Sequence, residues 1–443
     1  VQGYLSTLGN MLPKKHRAAL AVIQRGFNSR MAATVLPPPR RGILRDQLRG
    51  LLLSATSCSL ECHAAAASKA LPWISQTKQE TNVVTVDASA TAKARRPCRF
   101  TPAQLQHLSD EMLNLVQASR PSAGALRRRD EFVHALRRHL KVELPTCTLV
   151  PFGSAVNGLW IKGSDLDLNL EAPRVIERAE SQRLLRRVGA CIYRLTGERA
   201  EARLSARMPL LRWVPSQGNV PPCDITVNNS LAVANSHLVG AYVAADARVC
   251  TLAVGAKLWA RSQGINDRSQ GTLSSFALVL MMIHVLQTKR VLPSLQDLAV
   301  DLEQPPHDIL GRDCRYCTDP AAIAAAVQRC PNALQFDKPS SLGAFLVAFF
   351  RYFARDYRGG TLTIRNQRQS IVQSQDTTGS GGDFLFVDNP FEPGVDVANV
   401  NPGKLLQVRE AFQKACNELD RGASLAELLG ESRAGSNERN RHQ

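Results

Sequence analysis

The segment Asp165-Leu-Asp-Leu-Asn-Leu170 alternates without a break. A period of two is the mark of a strand, with Leu166, Leu168 and Leu170 on one face and Asp165, Asp167 and Asn169 on the other. The apolar face demands a core beneath it. Two carboxylates one pleat apart beside that core are costly unless a cation neutralises them. Mg²⁺ suits the need, since it takes a few carboxylate oxygens and leaves its other positions to water and phosphate. Taken alone the pair is a weak signal, because sugar-transferring enzymes and exposed strands carry it too.

Its surroundings sharpen the reading. Thr148–Phe152 is short and extended and runs into Gly153-Ser154, eleven residues before Asp165. A Gly-Ser turn between a strand and a helix-like turn offers backbone N–H groups and a hydroxyl to phosphate, and Gly lets the backbone approach closely. Downstream, Asp224 opens another short strand, Cys223–Val227. Three carboxylates on neighbouring strands can hold two metal ions, one on a triphosphate and one on an attacking 3′-hydroxyl.

These strands are embedded between helical parts. Thr101-Pro-Ala-Gln104 predicts a helix start with Thr as N-cap, followed by Leu105, Leu108, Met112, Leu115 and Val116 at helical spacing. A second helix over about 124–140 places Leu126, Phe132, Val133, Leu136 and Leu140 on one face. A helix over about 174–196 and a strand at Met208–Trp213 are expected next. From Asn235 to about residue 430 the chain reads as mostly helical, with a polar tail after Leu429.

The N-terminal part has another character. The chain carries 55 Lys and Arg against 38 Asp and Glu, a net charge of +17, yet residues 1–97 hold 14 basic and only 4 acidic side chains. The basic balance is therefore weaker testimony about the folded part. Asp46 is the single acid in residues 1–60, among Arg17, Arg25, Arg30, Arg40, Arg41, Arg45 and Arg49. Arg-rich, Ser-containing and acid-poor is the composition of a mitochondrial transit peptide, and residues 64–97 read as a linker. The competing reading is a basic tail that touches RNA. Eleven scattered cysteines suggest free thiols in a reducing compartment. Cys314 and Cys317 form a C-x-x-C pair without a second pair, and Cys58, Cys62, His63 and Cys98 fit no standard zinc spacing. No stretch is long and apolar enough to span a bilayer; Leu273–Leu286 and Leu342–Phe353 read as buried helices.

Phe152-Gly-Ser-Ala-Val-Asn-Gly-Leu159, Gly163-Ser-Asp-Leu-Asp-Leu168 and Cys223-Asp-Ile-Thr-Val-Asn-Asn229 resemble the signature of the DNA polymerase β-like nucleotidyltransferases. Within that superfamily the chain is most similar to non-canonical poly(A) polymerases and terminal uridylyltransferases, and its compact spacing looks like the small kinetoplastid-type enzymes. Asn235-Ser-His-Leu238, Lys257-Leu-Trp-Ala-Arg261, Gly264-Ile-Asn-Asp267, Gly271–Ala277, Leu292–Gln296 and Pro390-Phe-Glu392 follow in the family's order, so the likeness runs over about residues 100–425.

The resemblance implies an α+β, two-lobed fold. A small mixed-sheet catalytic lobe would occupy residues 124–234, and a larger helical, poly(A)-polymerase-associated lobe residues 101–123 with 235–430. It implies roles as well. Asp165 and Asp167 would hold two Mg²⁺ or Mn²⁺ ions, and Asp224 the one that activates the primer hydroxyl. Gly153 and Ser154 would meet the triphosphate; Lys257, Arg261 and Ser275 would clamp it; Asn235 would lie at the ribose, and Ser236 would also belong to the nucleotide site. Phe276 would stack on the base, and Asn389 and Glu392 would read its edge. Three positions depart from the family pattern. Phe276 stands where Tyr is usual, Asn389 where the acidic pair usually has Asp, and Pro393–Asn399 lacks the usual Arg or His after Glu392.

The expected activity is addition of UMP from UTP to single-stranded RNA 3′ ends in a mitochondrion-like compartment, alongside other RNA-processing proteins. A poly(A) polymerase using ATP is the nearest alternative. An inert RNA-binding scaffold and a small-molecule nucleotidyltransferase are more distant ones. No RNP motif, KH loop or finger is visible, so RNA choice would fall to partners or to the groove between lobes.

Overall fold

The computed structural model describes residues 100–430 apart from 207, 219, 333–340 and 366–383. The expected transit segment, the linker, the Cys58/Cys62/His63/Cys98 group and the polar tail lie outside the described residues. All the elements below belong to one compact unit, residues 96–443.

Two helices come first. α1 (Pro102–Ser119) starts as its sequence predicts, with Thr101 and Gln104 closing a reciprocal capping box and Pro at the first turn. α2 (Ala123–Glu143) is capped by Ser122. The palm sheet follows, from β1 (Thr148–Phe152), β2 (Leu166–Glu171), β3 (Glu201–Arg203), β4 (Leu210–Trp213) and β5 (Cys223–Val227), in the spatial order β1-β2-β5-β4-β3. β2 and β5 run parallel; every other pair is antiparallel. The connection between β2 and β5 contains α3 (Arg178–Thr196), which begins four residues later than the sequence suggests. The strand expected from Met208 begins at Leu210, and β3 was not anticipated.

α2 and α3 cover one face of this sheet. Leu166, Leu168 and Leu170 are buried there with Phe132, Leu136, Leu140, Leu185, Val188 and Ile225. Trp213 of β4 stacks on Phe132 with ring centroids 4.6 Å apart, fastening the sheet to α2.

The rest is a second core, built on α4 (Ser230–Ala245), α5 (Ala247–Ser262), α6 (Ser275–Thr288), α7 (Leu295–Asp301), α8 (Pro320–Gln328), α9 (Ser341–Arg351), α10 (Pro402–Asp420) and α11 (Leu425–Leu428). α1 belongs to this core through Leu108, Met112 and Val116, although it precedes the palm in sequence. Leu159 and Ile161, between β1 and β2, are also buried in it. Trp259 sits at its centre, with the rings of Phe350 and Phe412 at 4.6 and 4.9 Å. Among the described residues no single helix is long and apolar enough to cross a membrane; α4 and α5 turn by 119° at their junction and both contribute to the core.

The region after Asn235 is mostly helical, as expected, but it also carries short strands. A three-stranded sheet, ordered β10-β9-β8, is made by β8 (Gly360–Leu362), β9 (Leu385–Asn389) and β10 (Glu392–Asp396). A minimal hairpin, Asp308–Ile309 with Arg312–Asp313, adds β6 and β7.

One contact in the second core admits only glycine. A Cβ on Gly343 in α9 would lie 2.2 Å from the backbone oxygen of Leu105 in α1. The Gly343 N–H donates to Ser109 Oγ at 2.8 Å across the same contact. Both atoms are backbone or tightly held, so the helices must separate to admit a methyl group. Gly343→Ala is therefore expected to cost about 1–3 kcal/mol, read as a lower denaturation midpoint in urea with an unchanged slope.

Candidate active site

The site is set by strand register. Parallel pairing of β2 with β5 places Asp167 directly across from Asp224, and Asp165 stands just before β2, where the Leu166 N–H donates to Pro222 O at 2.7 Å. On the other side, antiparallel pairing brings Phe152 opposite Asp167. Three carboxylates thus gather at one end of the sheet. Asn169, the third polar residue of the alternation, does a different job. It is fully buried, and its Oδ1 accepts the Asn229 N–H at 2.8 Å, fixing the entry to α4.

Gly153 begins a single 3₁₀ turn, Gly153–Ala155, with φ of +63°. A Cβ there would lie 2.3 Å from Asp167 Oδ2. Both the left-handed backbone and the close approach exclude a side chain. The Gly153 N–H donates to Ser236 Oγ at 2.8 Å, and Ser236 Oγ donates in turn to Ala232 O at 2.7 Å. Ser236 is thereby a brace from α4 to the turn. The Ser154 hydroxyl has no partner among the described residues, and it remains open to a phosphate.

The electrostatics are unbalanced. Burial, reinforced by the charges of Asp224 and Asp165, pushes the Asp167 carboxyl up to about 7 despite Lys257 and Arg212 nearby. Burial also raises Asp224, with Asp165 adding to it and Arg212 opposing it. Arg212 is the counter-ion. Its guanidinium lies 3.0 Å from both oxygens of Asp224 and 3.3 Å from Asp165 Oδ2. Sequence reasoning missed it, although alternation in Leu210-Leu-Arg-Trp213 puts Leu211 and Trp213 in the core and Arg212 on the face of the acids.

Lys257 reaches the site from α5. It is 6% exposed and has no ion-pair partner among the described residues. Burial and the charge of Arg261 lower it to about 8, while Asp167 and Asp165 pull the other way. A buried, unpaired ammonium next to Arg261, one helical turn on, is an anion site. Ser275 and Phe276 open α6, which packs along α5. The Ser275 hydroxyl donates to Asn266 Oδ1 at 3.1 Å. Phe276 is partly exposed against the helical core, which leaves ring surface available for stacking.

The last group joins α4 to the turn between β9 and β10. Asn235 Nδ2 donates to Asn389 Oδ1 at 3.0 Å, and Asn389 Nδ2 donates to Glu392 Oε2 at 2.8 Å. Gln296 Nε2 holds the turn by donating to Pro390 O at 2.9 Å. Asn235 Oδ1 is buried without a partner, an acceptor that a ribose hydroxyl would satisfy.

Elsewhere, Cys314 and Cys317 are buried free thiols in the helical core, and Tyr316 between them lies 6.3 Å from Phe391. His284 bonds Thr363 O and Tyr352 Oη, each at 2.9 Å, and ties α6 to its neighbours.

The donor set suits a hard divalent cation. Three carboxylates converge, burial and its acidic neighbours raise one of them to about 7, and a guanidinium stands in for a cation between the other two. Among the described residues no three His, Cys, Asp or Glu side chains already close round one point. Arg212 lies between two of the three acids.

A mixed palm sheet with paired acidic strands, set on a helical body, is the nucleotidyltransferase fold. Comparison with known proteins agrees. Residues 108–244 match the central palm domain of mitochondrial-like poly(A) RNA polymerases. Poly(A) RNA polymerase GLD2 of Danio rerio is 28% identical over 66% of this chain, and GLD2-B of Xenopus laevis 29% over 74%. The chain spans 58 and 63% of the length of these two relatives. Among solved structures, the Cid1 poly(U) polymerase with Mg and 3′-dATP is 26% identical, with a TM-score of 0.60 over 73% of this chain and 98% of its own. A cytoplasmic RNA terminal U-transferase has the same fold, at 24% identity and a TM-score of 0.60 over 74% of this chain and 98% of its own. These likenesses support a place for the chain among the non-canonical poly(A)/poly(U) polymerase nucleotidyltransferases.

The raised Asp167 carboxyl gives a stability prediction. Its folded-state pKa lies above the ordinary value of 3.8, so ionisation opposes folding. The penalty is absent below the unfolded pKa, grows as pH rises toward about 7, and is constant above that. In EDTA, Asp167→Asn is expected to melt several degrees above the parent at pH 7.5, the advantage shrinking toward pH 4. Thermal denaturation across that range checks it.

Proposed function

We propose that this protein transfers a nucleoside monophosphate from a ribonucleoside triphosphate to the 3′-hydroxyl of single-stranded RNA without a template, and that UTP is its nucleotide. The observation that carries the reading is the convergence of Asp165, Asp167 and Asp224 on the Gly153-Ser154 turn and the buried, unpaired Lys257.

Asp165, Asp167 and Asp224 would hold two divalent ions, which supply Lewis-acid stabilisation of the phosphates and lower the pKa of the attacking hydroxyl. The remaining work belongs to the chain. Lys257 and Arg261 bind the phosphates, Lys257 from a buried position where water screens it little and Arg261 from the exposed next turn of α5. The Gly153 turn lets phosphate oxygens approach the backbone, and the Ser154 hydroxyl donates to them. Asn235 Oδ1 accepts a ribose hydroxyl, which favours ribonucleotides. Phe276 offers a ring face to the base.

Base choice rests on Asn389 and Glu392. The Asn389 amide spends one N–H on Glu392, leaving one donor beside a carboxylate acceptor. A donor next to an acceptor complements O4 and N3–H of uracil. It also complements N1 and the amino group of adenine, so this edge does not by itself refuse ATP. The likeness to a poly(U) polymerase supports UTP; the names of the curated relatives, poly(A) polymerases, favour ATP as a second reading. The Arg-rich composition of residues 1–60 supports a mitochondrial setting, and the lack of a recognised RNA-binding module supports reliance on other RNA-processing proteins.

The test is incubation of the full chain with labelled single-stranded RNA, Mg²⁺ or Mn²⁺, and each ribonucleotide in turn. Extension with UTP is expected, and Asp224→Ala should reduce it at least about a hundredfold. Extension chiefly with ATP would move the assignment to poly(A) polymerase; none with any nucleotide would overturn catalysis. Lys257→Ala should raise KM for the triphosphate roughly tenfold or more, the loss of a charge-assisted contact.

A further inference from the structure

We infer that Arg212 is an internal counter-ion that occupies the metal position of the free enzyme and must be displaced by the ion. It is a positioning residue: it sets the carboxylates and the affinity for the metal without touching the reacting atoms. The inference rests on the reading of Asp165, Asp167 and Asp224 as metal ligands.

Arg212 sits on β4, in register with Asp224 on β5. One guanidinium nitrogen is 3.0 Å from each Asp224 oxygen, and another is 3.3 Å from Asp165 Oδ2. Planar guanidinium spans two carboxylates as a point-charge ammonium cannot. The oxygens it holds are those a divalent ion would need. A carboxylate oxygen engaged by the fork of an arginine presents less of its lone-pair density to a metal, so the two cations compete. The side chain is also well placed to leave. Glu201 lies directly opposite Arg212 on β3, on the same face of the sheet, and its carboxylate, held by Arg203 at 3.0 Å, can be shared with the released guanidinium. Without the ion, Arg212 keeps Asp165 and Asp224 from repelling each other; with it, that service is redundant.

The experiment measures Mn²⁺ binding by electron paramagnetic resonance and thermal stability, with and without Mn²⁺, for the full chain and for Arg212→Gln, Arg212→Lys and Asp224→Asn. Arg212→Gln should melt lower than the parent in EDTA, saturating Mn²⁺ should close that gap, and the variant should bind Mn²⁺ about tenfold more tightly, the equivalent of one charge-assisted contact. Arg212→Lys, which keeps the charge and the fold but not the two-carboxylate bridge, should fall between the two. Unchanged or weaker Mn²⁺ binding by both variants would overturn the inference. So would a stability gap that Mn²⁺ leaves intact, which is the signature of a merely structural arginine. Asp224→Asn separates this failure from failure of the underlying reading. If Mn²⁺ binding is lost in Asp224→Asn, the acids are ligands whatever Arg212 does. If Asp224→Asn binds as the parent does, the ligand assignment falls and the inference with it.

Discussion

The register between β2 and β5 is the constraint on which the site depends. Parallel pairing that sets Asp167 across from Asp224 buries negative charge beside an apolar core, and the surrounding oddities are answers to it. Gly153 has no side chain because Asp167 fills the space. Arg212 is the lone basic residue in its short strand because two carboxylates face it. Lys257 is buried without an ion-pair partner among the described residues, beside Asp165 and Asp167. Burying Asp167 and Lys257 costs stability, as functional clusters commonly do.

Precision at such a site needs rigid support, and the second core supplies it. Ser236 on α4 clamps the Gly153 turn, Asn235 beside it reaches Asn389, and Gln296 holds the Pro390 carbonyl. The acid-bearing sheet and the turn of Asn389 and Glu392 are therefore joined through α4, so that the Gly153 turn and Asn389 keep a fixed relation. The tight approach of α9 to α1 at Gly343 serves the same body from farther away.

The acidic strand was legible because one face is buried: alternation survives only where a core enforces it. The start of α1 was legible because Thr101 is the capping residue found in place. What could not be read follows from tertiary structure. The strands β8 and β10 are short and contain Gly360, Pro393 and Gly394, which lower strand propensity, so the sheet beneath Asn389 and Glu392 looked like loop. Leu159 and Ile161 lie within the palm sequence yet pack in the helical core. Ser236 belongs to a family block, and only the structure shows that its hydroxyl is spent on Gly153. Arg212 carried a readable signal in the alternation of its strand; what was missing was the knowledge that β4 pairs with β5. The edge formed by Asn389 and Glu392 offers a donor and an acceptor, and that pattern satisfies two bases.

The central claim is that these three carboxylates exist to hold metal ions against a nucleoside triphosphate. Anomalous scattering from a crystal grown with Mn²⁺ and a non-hydrolysable UTP analogue tests it most directly. The account predicts Mn²⁺ peaks bound by Asp165, Asp167 and Asp224, with the analogue's phosphates on Ser154 and Lys257. Nucleotide bound there with no Mn²⁺ on the three acids, or Mn²⁺ held elsewhere, would contradict it.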